Sequence, residues 1–136
     1  MLDHHRLLQI RIFTHTKAEL SLIDSWLSER SMGTKPPEDL PQVGRIAYYD
    51  DVPVAIGFLR MAEGNLGIFD SLITNPASPS DWRHVALDAL GQEIISLARD
   101  KGCKRLLGFS INSDTLLRSE KHGFLKQPHT VLSLNL

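Results

Sequence analysis

Residues 66 to 109, LGIFDSLITNPASPSDWRHVALDALGQEIISLARDKGCKRLLGF, constrain the topology more than any other part of the chain. Leu66 to Thr74 is rich in apolar and β-favouring residues and reads as a strand. A Pro/Ser-rich turn follows, then one long helix, then a second strand from Lys104 to Phe109. Such a β-α-β unit implies two parallel strands bridged by a crossover helix. The helix start is marked three times over. Ser78 is the N-cap, Pro79 takes the first helical position and Asp81 the third, where its charge complements the helix dipole. Helix starts of this kind also bind anions on their free N–H groups. Trp82, Val85, Ala86, Ala89, Leu90 and Leu97 share one arc, which Leu87, Ile94, Ile95 and Ala98 widen, as expected for a helix lying on a sheet. Glu93 falls near the middle of that arc with no partner evident from the sequence. Gly102 ends the helix at C′.

The flanking segments supply the rest of a sheet. Residues 7 to 13, LLQIRIF, alternate as a half-buried strand. Thr16 and Glu19 have capping-box spacing ahead of a helix that gathers Leu22, Ile23, Trp26 and Leu27 on one side, with Arg30 in its last turn and Met32-Gly33 as its stop. Residues 33 to 42, GTKPPEDLPQ, form an irregular connection. VGRIAYY and VAIGFLRMA then make an antiparallel hairpin across Asp50-Asp51-Val52-Pro53, and Glu63-Gly64-Asn65 turns the chain into Leu66 to Thr74. After Phe109, Asn112 or Ser113 caps a short helix with Leu116 and Leu117 inward and Gly123 as its stop. Phe124-Leu125 and Val131 to Leu134 read as two closing strands around Gln127-Pro128. The expected order is β-α-β-β-β-α-β-α-β-β, an α+β domain over residues 1–136 with a mixed, mostly antiparallel sheet and a central β-α-β crossover.

Composition removes several function classes. Fifteen Lys and Arg face sixteen Asp and Glu, so the net charge of −1 supplies no long-range attraction to nucleic acid or an anionic membrane. No apolar run approaches the roughly 18 residues of a membrane span. The first residues carry early charge and do not resemble a secretory signal. Cys103 has no internal disulfide partner, which suits a reducing, cytoplasmic setting. His4, His5, His15 and His129 are scattered without ligand spacing, so no metal site is expected. No Ser-His-Asp ordering, P-loop or CxxC pair occurs.

The element order, together with particular residues, resembles the GNAT superfamily of acyl-coenzyme A-dependent N-acyltransferases over nearly the whole chain. Asp70-Ser71-Leu72-Ile73-Thr74-Asn75-Pro76 is similar to the family's fourth strand, IISLARDKGCKRL (Ile94 to Leu106) to the end of its long helix and start of its fifth strand, and Asn112 with Gly123-Phe124 to its closing pattern. The resemblance implies acetyl transfer from acetyl-coenzyme A to a small-molecule or protein amine. In the family, the pantetheine chain runs along the splayed end of the fourth strand, here Leu72, Ile73 and Thr74. The pyrophosphate sits on the next helix start in a glycine-rich loop, because small residues let backbone N–H groups approach the phosphates.

Two positions depart from that pattern. Trp82 to Leu87 falls in the register of the phosphate loop and holds no glycine, while Pro79 lacks an N–H and Asp81 adds negative charge. Ser119 stands where many members carry a tyrosine that protonates the leaving thiolate, and it is too short for that reach. Asp70 is the candidate base for the acceptor amine, or a strand-face carboxylate paired with a nearby Arg or Lys. Arg83 and His84 are candidates for phosphate contact, or simply solvated first-turn residues. Asn112 is a coenzyme ligand or a helix cap. Tyr48, Tyr49, Phe58 and Phe69 divide between core and a groove, Cys103 suits packing, and His122 complements a helix C-terminus. These departures leave a second reading: a catalytically inactive GNAT-like scaffold serving as a binding or structural subunit, of the size of phage or virion assembly proteins. The apolar face of its long helix would then meet partners or a second copy.

Overall fold

The computed structural model describes residues 8–13, 17–29, 39–110 and 113–136. Alternating segments condense into one five-stranded sheet in sequential order: β1 (Leu8–Phe13), β2 (Val43–Tyr49), β3 (Val52–Ala62), β4 (Leu66–Thr74) and β5 (Arg105–Gly108). The first three junctions are antiparallel, and β4 and β5 run parallel, as a crossover connection requires. Helix α1 (Lys17–Ser28) covers one face. Helix α2 (Ser80–Asp100), the crossover itself, covers the other, with α3 (Ser113–Lys121) beside it. The expected α+β class, mixed sheet and central crossover are all present. No helix among the described residues is long and apolar enough to cross a membrane.

Periodicity decides which side chains meet. From α1, Ile23, Trp26 and Leu27 pack on Ile46, Ile56, Phe58 and Ile73 of the sheet. From α2, the four-residue row Ala86, Leu90, Ile94 and Ala98 is buried against Ala47, Tyr49, Val54, Ala55 and Leu59. Burying Leu90 or Ile94 in this way contributes about 1.5–3 kcal/mol each. Trp82, at the start of the arc, stacks on Tyr49 with ring centroids 4.2 Å apart. Glu93 acquires its explanation from β2: Arg45 Nε donates to its carboxylate at 3.2 Å, and Nη1 of the same buried arginine donates to the Gly44 carbonyl. The arc therefore accommodates a carboxylate because the facing strand supplies a cation.

Both crossover-side helices end in the same hydrogen-bond pattern. Cys103 N–H donates to Ala98 O and Gly102 N–H to Arg99 O, while Phe124 N–H donates to Ser119 O and Gly123 N–H to Glu120 O. Each is a Schellman motif, and each needs its glycine, at φ +87° for Gly102 and +97° for Gly123.

The structure departs from the sequence reading at several points. The β2–β3 turn is only Asp50-Asp51, both at positive φ (49° and 65°), so β3 begins at Val52 and Pro53 lies within it opposite Tyr48. Aspartate tolerates the left-handed region well enough to make this tight turn without glycine. Helix α2 begins at Ser80, and Pro79 rather than Ser78 is the N-cap. The cause lies upstream. Asn75 Oδ1 accepts the Ala77 N–H and its carbonyl accepts the Ser78 N–H, so residues 75–78 are already committed to their own turn. In α3, Leu116 is half-buried but Leu117 is exposed, because adjacent helical residues diverge by 100° and the inward face follows Thr115, Arg118, Ser119 and His122. β5 ends at Gly108. Phe124-Leu125 and Val131 to Leu134 form no strands: among the described residues neither segment joins the five-stranded sheet, and a β-pattern without a ladder partner is not a strand. Thr16, Arg30, Met32-Gly33 and most of the Pro-rich connection lie outside the described residues.

Two substitutions test this packing by chemical denaturation. Leu90→Ala should lower the unfolding free energy by about 2–5 kcal/mol, since the side chain is fully buried and its loss leaves a cavity. Asp51→Gly should raise it by up to ~1 kcal/mol by relieving a left-handed residue in the tight turn; an unchanged or lower value would count against the turn as described.

Candidate functional site

Strand β4 changes character halfway along. Its ladder to β5 runs from Leu66↔Arg105 to Phe69↔Gly108 and stops, while β4 continues to Thr74. The two strands therefore part beyond Phe69. On its other side β4 stays paired with β3, but Ser71 and Leu72 together oppose the single residue Gly57. This is a β-bulge, with Ser71 in the left-handed region at φ 54°. Gly57 is part of the arrangement. A Cβ there would stand 3.2 Å from Phe69 Cε1 and 3.3 Å from Leu72 Cδ1, so glycine gives both side chains room to close over the strand.

The bulge inverts the side-chain alternation. Phe69 faces α2, and strict period two would send Ser71 and Ile73 the same way and Leu72 opposite. With one extra residue, Leu72 packs on the α2 side and Ile73 joins the α1-side core. Leu72 and Thr74 thereby border a cavity of about 270 Å³ with Ser80, Arg83, His84 and Leu87 of α2 and Asp114, Thr115 and Arg118 of α3. Of the candidate coenzyme residues, Leu72, Thr74, Arg83 and His84 meet at this cavity. The Ile73 side chain does not, and Asn112 lies outside the described residues.

The helix start beside the cavity is open. No side chain caps α2, Pro79 is extended (φ −57°, ψ 151°), and the first helical bond runs from Arg83 N–H to Pro79 O. The amides of Ser80, Asp81 and Trp82 thus precede the helical ladder and have no carbonyl one turn back. Ser78, expected as the cap, is buried, and its Oγ has no hydrogen-bond partner among the described residues. The loop is held by Asn75, whose N–H donates to Val54 O at 2.7 Å and whose Nδ2 donates to Pro53 O at 3.0 Å.

Charge around the cavity comes from side chains. Arg83 and Arg118 stand against one lining carboxylate, Asp114. Arg83 Nε is buried without a hydrogen-bond partner among the described residues. Arg118 bridges α3 to α2, with Nε 3.4 Å from Asp88 Oδ1 and Nη2 2.8 Å from His84 Nδ1. Arginine has only donors, so in this contact His84 Nδ1 is the acceptor and Nε2 is left as the ring's donor. His122 reinforces the same seam: its Nε2 is 3.6 Å from Asp88 Oδ1, and its ring lies over Gly91, where a Cβ would stand 3.1 Å from that nitrogen. Arg118 is the residue that sequence reasoning missed. Its signal was the polar row Thr115, Arg118, His122 on an otherwise short helix.

Asp70 is the first β4 residue past the last β4–β5 pair, and it lies on the α1 side, across the sheet from the cavity. Its Oδ2 accepts from Arg60 Nε (2.9 Å) and Nη2 (2.8 Å), and its Oδ1 accepts from Ser71 Oγ (2.8 Å). Arg60 Nη2 also donates to the Asp39 carbonyl, tying β3 to the segment before β2. Both carboxylate oxygens are therefore engaged. Ser119 Oγ donates to Thr115 O within its own helix. Tyr49 and Phe58 are core, whereas Tyr48 and Phe69 are only partly buried. Cys103 packs against Gly67, consistent with a packing role.

No protein-family model matches this sequence, and no curated protein matches it. Solved structures do resemble its fold. A Trypanosoma brucei acetyltransferase superposes with a TM-score of 0.67 at 17% identity, over 95% of this chain and 99% of its own. A probable acetyltransferase gives 0.71 at 16%, over 94% and 97%. AAC(6')-Iy, solved with a bisubstrate analogue that joins coenzyme A to a monomethyl-acetylneamine, gives 0.65 at 15%, over 95% and 98%. Identities this low speak to architecture alone. In strand order, crossover and chain length covered, the protein has the fold of the GNAT acetyltransferases.

Proposed function

We propose that this protein is an acyl-coenzyme A-dependent N-acyltransferase, moving an acetyl group to the amine of a small molecule or protein. The observation that carries the reading is the cavity between β4, α2 and α3, with its two arginines and the uncapped α2 start, set where β4 parts from β5. The α2 amides and the Arg83 and Arg118 guanidinia suit a diphosphate, which needs several donors converging on clustered negative oxygens. Arg83 Nε and the His84 Nε2 proton are donors that such an anion would satisfy. At about 270 Å³ the cavity lies at the low end of the roughly 300–1,000 Å³ of ligand pockets. It suits one portion of a long ligand, with the remainder lying along the open edge of β4.

When bound, acetyl-coenzyme A supplies an activated thioester. The chain's own part is alignment and proton handling. Past Phe69 the β4 backbone has left the β5 ladder, and its β5-facing side offers groups to orient an extended amide chain. Asp70, the first β4 residue past the last β4–β5 pair, is the base of this reading and takes up the proton of an incoming ammonium, directly or through water. For that role Arg60 and Ser71 act as positioning groups. The neutral Ser119 hydroxyl is committed to Thr115, so thiolate protonation falls to solvent. The second reading, a coenzyme-free scaffold used as a binding subunit in a reducing, cytoplasmic setting, draws on the same engagement of Asp70 and Ser119: neither is poised as a free acid or base.

Titration calorimetry with acetyl-coenzyme A separates the two. The enzyme reading expects micromolar binding, weakened about 10- to 100-fold by Arg83→Ala or Arg118→Ala, the loss of a charge-assisted bond worth about 1.5–3 kcal/mol. No heat at millimolar ligand would sink it. Ser71→Gly should preserve the affinity because glycine adopts φ +54° freely. Ser71→Val should reduce it, since a β-branched residue resists that conformation and the bulge with it. If thiol release with an amine acceptor is measured, Asp70→Asn should lower kcat by roughly 10²–10⁴-fold.

A further inference from the structure

Helices α2 and α3 run parallel, because residues met in order along one meet the other in the same order. His84 and Asp88 stand against Arg118, and Asp88 and Gly91 stand against His122. Both N-terminal ends therefore lie toward the cavity. Each carries an acidic residue in its first turn, Asp81 in α2 and Asp114 in α3, and both are exposed. Asp114 is part of the cavity lining, and Asp81 directly follows the lining residue Ser80.

Unopposed positive charge at the cavity is correspondingly small. Arg118 is already faced by Asp88, 3.4 Å from its Nε, and its Nη2 is spent on His84 Nδ1. Of the two lining arginines, Arg83 alone makes no ion pair among the described residues, and its Nε is buried without a hydrogen-bond partner. One free guanidinium, the first α2 amides and His84 Nε2 together match one phosphate diester, which carries a single negative charge. Coenzyme A carries far more: its diphosphate and its ribose phosphate each hold about two negative charges near neutrality. Beyond the first phosphate such a ligand would meet Asp81 and Asp114, and like charges repel. A cavity of about 270 Å³ is also small for a ligand that continues into a nucleotide.

We infer that the site reads its acyl donor only as far as one phosphate: the recognised substrate is an acyl-phosphopantetheine, and a nucleotide attached beyond that phosphate adds no affinity. The inference rests on the acyltransferase reading and narrows it. The arm lies along the β5-facing side of β4 past Phe69, and its phosphate meets Arg83 and the start of α2 where Leu72 and Thr74 border the cavity. Phosphopantetheine comes in two forms, as half of coenzyme A or esterified to a serine of a carrier protein. The two differ only beyond the phosphate, so the site accepts both.

Titration calorimetry on the full chain with four donors tests this: acetyl-coenzyme A, S-acetylphosphopantetheine, a serine peptide bearing acetyl-phosphopantetheine, and S-acetylpantetheine, which lacks phosphate. The first three should bind within about threefold of one another, and the fourth about 10- to 100-fold more weakly. Arg83→Ala should bring the first three to the level of the fourth while leaving the fourth unchanged. Acetyl-coenzyme A binding tenfold or more tighter than the phosphopantetheine donors would overturn this inference alone. So would acetylpantetheine binding as tightly as the others, or Arg83→Ala weakening all four alike. No heat with any donor would overturn the acyltransferase reading and this inference together.

Discussion

The extra residue at Ser71–Leu72 fixes more of this molecule than its size suggests. A regular β4 would keep pairing on both sides and alternate its side chains without a break. The bulge shifts the phase of Leu72, Ile73 and Thr74, so Leu72 and Thr74 border the cavity while Ile73 fills the opposite core. It lies just past Phe69, where the β5 ladder ends, so the change of phase and the parting of the strands fall together. The cost is one non-glycine residue in the left-handed region, about 1–2 kcal/mol. Ser71 Oγ offsets part of it by donating to Asp70, and Gly57 removes the Cβ that would obstruct Leu72.

The second feature is how positive charge reaches the cavity. A glycine-rich turn brings backbone amides to a ligand with little help from side chains. Here Asn75 fixes the loop through four hydrogen bonds, Pro79 contributes no N–H, and the amides that remain are those of the first helical turn. Arg83 comes from that turn and Arg118 from α3. Arg118 is held in place by Asp88 and His84, so the α2–α3 seam and the cavity wall share one polar cluster, with the His122 ring 3.6 Å from the same Asp88 oxygen. A site of this design relies on long side chains and loses more rotamer freedom on binding than a backbone cradle does. Asp114 and Asp81 work against it, which is why the arginines carry the argument.

Most of the architecture was legible in the residues. The strand bounds of β4, the α2 stripe, Gly102 and Gly123 as helix stops and the parallel β4–β5 pair all follow from periodicity and backbone preference. Three features were not. The bulge is invisible to a period-two reading because it breaks the period, and Ser71 is not a residue type that announces positive φ. The α2 start was read as capped by Ser78 because three start rules converged there, but Asn75 had already taken the preceding turn. The closing strands follow from β-favouring residues such as Val131, whereas strand formation also needs a ladder partner, and among the described residues these segments join no sheet. Arg45 with Glu93 makes the complementary case: a glutamate in an apolar arc has no partner evident from the sequence, and the facing strand supplies one.

The account turns on whether the parted end of β4 and the open start of α2 form one ligand site. Backbone amide NMR of the isotope-labelled protein titrated with acetyl-coenzyme A reads this residue by residue. The account predicts shift changes concentrated in Ser71–Thr74, Ser80–His84 and Thr115–Arg118, with the α1 face and the β1–β2 edge unmoved. Shifts absent from those three segments, or confined to surfaces away from the cavity, would contradict it.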